Sequence, residues 1–259
     1  LITLKSPREI EKMREAGSIV ARCFEVIRSI LRPGVRTIEL DRAVKETIIE
    51  LGGEPAFYGY RGFPGNICVS INEEVVHGIP GNRRLKEGDI VSVDIGVKRR
   101  GYFGDAAITL PVGTISEEAE KLLQVCREAL DLAVARIRPN EKLSAISRTI
   151  QEHAEGGGYS VVRKFVGHGI GSRMHEEPQI PNFVDPFQFQ LDVVLKSGMV
   201  LAIEPMVNTG THEVRIKKNG WTVVTRDKGL SAHFEHTVAV TENGGDILTR
   251  CSEEDLRGV

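Results

Sequence analysis

Little in this sequence would place the chain in a membrane or on a polyanion. No apolar run approaches the ~20 residues needed to cross a bilayer, and the opening LITLKSPREI lacks the apolar core of a signal segment. Neither sign of charge prevails: 34 Lys and Arg face 36 Asp and Glu, a net charge of -2. A direct nucleic-acid ligand is therefore not expected, although a local patch that does not show in the sum leaves room for ribosome association. Cysteine is scarce. Cys23, Cys68, Cys126 and Cys251 lie far apart and form no CxxC, so they read as free thiols of a reducing compartment rather than a disulfide frame. No Pro- or Ser-rich linker divides the chain. The expectation is a soluble, cytoplasmic monomer. The first residue is Leu rather than Met, which points to a trimmed or processed start.

With 259 residues, 41% of them apolar, the chain can bury a large core as one domain or two fused halves. Ser6-Pro7-Arg8-Glu9 forms a capping box with Pro at the first helical position. The apolar spacing that follows predicts a helix ended by Pro33-Gly34, and a second is expected over Thr37 to Leu51. NICVSINEEVVHG and DIVSVDIGVKRRGYFGDAAITLPVG then alternate and are rich in β-branched residues, so they read as strands. The order repeats. Helices are expected from Ser116 to Arg138 and from about Ser144 to Glu155, then strands in YSVVRKFVG, GMVLAIEPMV, HEVRIKKNGWTVVT with an Asn219-Gly220 turn, and AHFEHTVAVTENG. Two helices and a block of strands, twice over, predict an α+β fold of two pseudo-symmetric halves, about 1–113 and 114–249, in one domain spanning 1–259.

The chemistry sits where strands should be apolar. VSVDIGV carries Asp94 and GYFGDAAITL carries Asp105. A tight hairpin closed by KRRG would make them direct cross-strand partners, an arrangement that like charges oppose and a cation between them relieves. Glu204 ends a strand before Pro205, and Glu235 shares an alternating face with His233 and Thr237. His168 stands among glycines in VGHGIGSRMHEEP. Taken singly, each has a plain structural reading: an edge acid, a turn acid, a loop histidine, or, for His77, His175 and His236, a hydrogen-bonded structural residue. Jointly, four carboxylates and one imidazole suit Mn, Fe, Co or Zn, and four carboxylates would neutralise two divalent ions.

EEVVHGIP, VDIGVKRRGYFGDAA, VGHGIGSRMHEEPQIPN, AIEPMV and HFEHTVAVTENG together resemble type I methionine aminopeptidases in order, spacing and motif, from the first helix to near residue 249. The resemblance implies a pita-bread fold and removal of the N-terminal (initiator) methionine of nascent proteins and peptides, preferably before a small residue. It implies a dinuclear metal site on Asp94, Asp105, His168, Glu204 and Glu235, with Asp105 and Glu235 bridging and a metal-activated water as nucleophile. His175 would donate to the tetrahedral oxygen, His77 would sit near the departing nitrogen, and Glu204 would carry the proton. Tyr60, Phe63, Cys68 and Trp221 would line the methionine pocket, and a monovalent cation, Na or K, would lie near Asn72 and Ser231. Met174 replaces an aromatic found in some relatives, and Glu176 and Glu177 gain no role. The helical insertion of type II relatives has no room between His168 and GMVLAIEP, and NFVDPFQFQLDVVLKSG is a local departure. Two other readings stand beside this one: an Xaa-Pro aminopeptidase or dipeptidase on the same fold, and an inactive pita-bread binding module.

Overall fold

Glu9 reaches back to the Ser6 N–H at 2.7 Å, and Pro7 needs no partner for a missing N–H. Helix α1, Pro7–Ile30, starts there, as the capping box predicts. The computed structural model describes residues 2–184 and 192–250. In it α2 spans Thr37–Glu50, α3 Glu117–Ala135 and α4 Leu143–Gly156. Ser116 accepts the N–H of Ala119 as the N-cap of α3. That helix ends three residues before the expected Arg138, because the N–H groups of Arg136 and Ile137 turn to the carbonyls of Ala133 and Val134 in a tighter final turn.

The strands of the first half are β1 Glu54–Pro55, β2 Cys68–Ile71, β3 Glu74–Val76, β4 Ile90–Arg99 and β5 Tyr102–Pro111. Those of the second are β6 Ser160–Val161, β7 Gly167–Gly169, β8 Glu176–Ile180, β9 Val200–Ile203, β10 Met206–Asn208, β11 Val214–Ile216, β12 Val223–Thr225, β13 Ser231–His233, β14 His236–Thr241 and β15 Gly244–Ile247. All pairings are antiparallel, in sheets ordered β1-β4-β2 with β5 on β4, β13-β10-β6, β11-β12-β3 and β15-β14-β9-β7-β8. The expected strand YSVVRKFVG is mostly irregular and divides into β6 and β7. Asn219 makes the predicted turn, accepting the N–H groups of Trp221 and Thr222 on its Oδ1. The middle of the NFVDPFQFQLDVVLKSG stretch and Cys251 lie outside the described residues; Cys23, Cys68 and Cys126 are buried free thiols.

The expected register of the β4–β5 hairpin requires correction. Asp94 pairs with Ala107 and Asp105 with Gly96. The turn is Arg100-Gly101, both at positive φ (49° and 82°), the geometry a two-residue hairpin favours. That moves the partner of each aspartate two residues along the opposite strand, so the two are diagonal neighbours on one face rather than directly opposed.

Helices cover the outer side of the sheets, burying Phe24, Leu40, Leu122 and Ile150 against Ile95, Val161 and Val238. The halves meet along a seam. Glu235 N–H donates to the Ala107 carbonyl at 2.8 Å, Asp105 N–H donates to Thr237 Oγ1 at 3.0 Å, and His233 N–H donates to Thr109 Oγ1 at 2.8 Å. Two threonine hydroxyls thus extend the hydrogen bonding where the backbones diverge. Glu235 itself lies between β13 and β14, so the run predicted as one alternating strand is broken there. Among the described residues no helix is long and apolar enough to cross a membrane.

Candidate metal-dependent active site

Three of the five predicted ligands, His168, Glu204 and Glu235, stand where regular pairing changes. Asp94 and Asp105 share the inner face of the β4–β5 hairpin. Glu204 follows β9, where Pro205 interrupts the ladder, and its carbonyl accepts Asn182 Nδ2 at 3.0 Å. Glu235 is fixed by the seam. His168 is central in β7 between Gly167 and Gly169, and an added Cβ on Gly169 would lie 2.2 Å from the Glu177 carbonyl oxygen. Glycine there lets β8 close on the histidine strand.

The fold brings these groups together. Asp105, His168 and Glu235 offer ligand atoms all within 4.8 Å of one another. His168 Nε2 lies 3.9 Å from Asp105 Oδ2 and 3.8 Å from Glu204 Oε1. Asp94 comes within hydrogen-bonding reach of Asp105. Oxygens of Asp94, Asp105 and Glu235 are buried without a partner. His168 Nδ1 is 2.9 Å from the Gly169 carbonyl, which can only accept, so the ring proton sits on Nδ1 and the Nε2 lone pair faces the acids. Burial drives the Asp94 carboxyl up to about 7. Burial first, then mutual repulsion, holds Asp105, Glu204 and Glu235 well above the usual range. Burial also pushes His168 down to about 3. Four carboxyls that resist ionising together and a neutral imidazole aimed at them form a donor set that fits two divalent cations.

A cavity of about 400 Å³ opens over this floor. All four predicted pocket residues, Tyr60, Phe63, Cys68 and Trp221, line it, with His77 and His175. Phe63 meets Trp221 edge-on at 5.1 Å between ring centroids. His77 stands at φ 59°, an uncommon left-handed conformation for a side-chain-bearing residue, and packs edge-on against Phe165 at 5.5 Å. Tyr60 stacks on His175, its hydroxyl 2.8 Å from Nδ1. Met174 is not on the cavity wall: it is buried behind it, where only a glycine at position 96 leaves room for its methyl group and for Phe57.

Sequence reasoning missed several contributors. Phe57 and Phe165 add aromatic rings to the wall; neither belongs to the five stretches that carry the family resemblance. His233 was seen only as a neighbour of Glu235. Its Nε2 is buried without a partner, 3.7 Å from Glu204 Oε2 and 4.0 Å from Glu235 Oε2. Burial, then the nearby His77, lowers it to about 3, so it faces the acids as a neutral ring.

Residues 11–242 match metallopeptidase family M24, and methionine aminopeptidase 1 of Bacillus subtilis is 52% identical over 250 residues, 96% of this chain and 100% of that protein. The chain belongs to metallopeptidase family M24. Within it, the methionine aminopeptidase of Escherichia coli is 44% identical over 260 residues, 100% of this chain and 97% of that one. The crystal structure of the methionine aminopeptidase from Thermotoga maritima superposes with a TM-score of 0.93 at 47% identity, over 96% of this chain and 100% of that one. A prolidase from Pyrococcus furiosus shares the M24 fold at lower likeness, TM-score 0.78 and 25% identity, and the match covers 96% of this chain but 66% of the prolidase. The expected α+β pita-bread class is this shared fold.

Proposed function

We propose that this M24 chain is a methionyl aminopeptidase that removes the N-terminal methionine of peptides and nascent proteins, preferably when the next residue is small. One observation carries the reading: unpartnered buried oxygens of Asp94, Asp105 and Glu235 stand with the His168 lone pair on the floor of an aromatic-walled cavity. The relatives named methionine aminopeptidase that match 96% of the chain support the same reading.

Asp94, Asp105, His168, Glu204 and Glu235 would hold two divalent ions, drawn from Mn, Fe, Co or Zn. Such ions supply Lewis acidity and make water a usable nucleophile near neutral pH. The chain's other groups do the rest. Phe63, Trp221, Cys68 and Tyr60 receive the methionine side chain, whose flexible thioether suits an apolar, sulfur- and ring-lined wall. With Tyr60 donating to Nδ1, His175 carries its proton on Nε2 and can donate it to a carbonyl oxygen gaining charge. His77, held in its left-handed conformation, sits beside the departing amide nitrogen. Glu204 receives a proton from water and delivers it to that nitrogen. A floor of carboxylates accepts a free α-amine and not a mid-chain amide, so cleavage is confined to the N-terminal peptide bond. His233 faces Glu204 and Glu235 from behind as a neutral ring, 3.7 and 4.0 Å away.

In this reading residues 1–259 form one catalytic unit that works in the cytoplasm as a monomer, on chains emerging from the ribosome, and binds a monovalent cation by Asn72 and Ser231. Asn72 O accepts the Ser231 N–H at 2.9 Å, and Ser231 Oγ is buried without a partner. The test is metal analysis with activity reconstituted by each ion on a Met-Ala-Ser peptide, run beside Ala-Pro-Ala. Methionine release is expected. Faster turnover of the proline peptide would favour the prolidase reading, and no metal uptake would favour a binding module.

A further inference from the structure

We propose that Lys5 and Glu176 are a positioning pair for His175, through which the segment ahead of α1 holds the active-site loop in its working shape. Lys5 is 6% exposed, unusual for a lysine. Its Nζ donates to Glu176 Oε2 at 2.8 Å and to the Thr3 carbonyl at 3.1 Å. The other Glu176 oxygen accepts the Arg173 N–H at 3.1 Å. The Lys5 N–H donates to the Gly198 carbonyl at 2.7 Å, and Gly198 N–H to the Val240 carbonyl at 2.9 Å. The chain ahead of α1 is therefore bound to the second half, although α1 packs on the first.

The loop from Gly171 to Glu176 is held on several sides. Gly171 lies so close to the pair that an added Cβ would stand 2.5 Å from Lys5 Cε and 2.7 Å from Glu176 Oε1. Its carbonyl accepts the Phe103 N–H of β5 at 2.9 Å. Met174 is anchored in the apolar cluster with Phe57. His175 thus has a buried anchor on each side in sequence, Met174 before it and Glu176 after it, and Tyr60 on its ring. A buried ion pair adds little net stability compared with an apolar pair of the same shape. What it adds here is geometry: among the described residues Lys5 is the cation in direct contact with the carboxylate, Arg173 adds a more distant attraction, and satisfying the carboxylate fixes the backbone that carries His175.

The inference rests on His175 being the substrate-side donor, so the experiment tests both. Lys5→Met, His175→Ala and their double variant are compared on Met-Ala-Ser with the metals loaded, together with metal content. A misplacement on the order of 1 Å can cost up to ~10²-fold in rate, and Lys5→Met is expected to lower kcat by about tenfold or more, with KM within about twofold and metal content unchanged. Combined with His175→Ala it should add nothing, because both act through one imidazole. Glu176→Gln, which keeps the shape, should repeat the kcat loss, and it carries the test if Lys5→Met does not fold. Full turnover in Lys5→Met and Glu176→Gln, or losses that multiply with that of His175→Ala, would overturn the pair's role. Full turnover in His175→Ala would instead remove the donor role itself, and this inference with it.

Discussion

Asp105 and His175 should separate metal binding from substrate handling. Asp105 is 4% exposed and one of its oxygens has no partner, so Asp105→Asn removes a charge that no neighbour replaces. It is expected to lower the occupancy of both ions, read by calorimetry and elemental analysis; unchanged binding of two ions would remove Asp105 from the set of ligands. His175 lies on the cavity wall with its Nδ1 committed to Tyr60. His175→Ala is expected to cost on the order of 10²-fold in kcat, the loss of one oxyanion donor, while metal content stays the same. The candidate ligands were legible because acids inside apolar strands are anomalous residue by residue. His233 was not, since an imidazole in SAHFEH alternates like any strand residue, and only the end of β13 before Glu235 leaves it facing Glu204. Nor was Lys5 with Glu176: no local pattern joins residues 171 positions apart.

Elements were legible where one local signal sufficed. The capping box set the start of α1, and the helix–strand order of both halves followed from periodicity. Registers and breaks were less so, because they depend on turn geometry and on the partner strand: Arg100-Gly101 sets the β4–β5 pairing, and the seam sets the break at Glu235. Packing between elements adds a constraint that only coordinates reveal. An added Cβ at Gly104 in β5 would lie 2.7 Å from the Gly17 nitrogen and 3.0 Å from the Ala16 carbonyl carbon of α1. These are backbone atoms, so α1 would have to move as a unit. Gly104→Ala is expected to cost roughly 1–3 kcal/mol in urea unfolding, the usual penalty for overfilling a packed contact. Gly156→Ala, in the last turn of α4 with nothing within 4 Å of its added Cβ, should be neutral or slightly stabilising. Equal losses at both positions would show that the contact between α1 and β5 is looser than the structure has it.

At the scale of the whole molecule, the site makes folding and metal binding compete for protons. Burial raises the carboxyls of Asp94, Asp105, Glu204 and Glu235 above their ordinary values. The metal-free fold therefore holds protons that the unfolded chain has released above a pH of about 4, and it loses stability as pH rises. His77, His168, His175 and His233 are depressed to about 4, 3, 4 and 3. Their contribution has the opposite sign: it is complete above the unfolded value of about 6.5 and is lost as pH falls toward the folded values. Between about pH 4 and 6.5 the two sets oppose each other; above about 6.5 the histidines are neutral in both states and only the carboxyls still act. Divalent ions take the place of those protons, so their stabilising effect must grow over the range in which the metal-free protein weakens. Thermal melts of chelator-treated protein from pH 6.5 to 8.5, with and without Mn, should show the metal-free Tm falling and the metal-induced increment rising together. A metal-free Tm that is flat or rises, with an increment independent of pH, would mean that the four carboxyls are already compensated without ions. The donor set would then have lost its main physical reason to bind two of them.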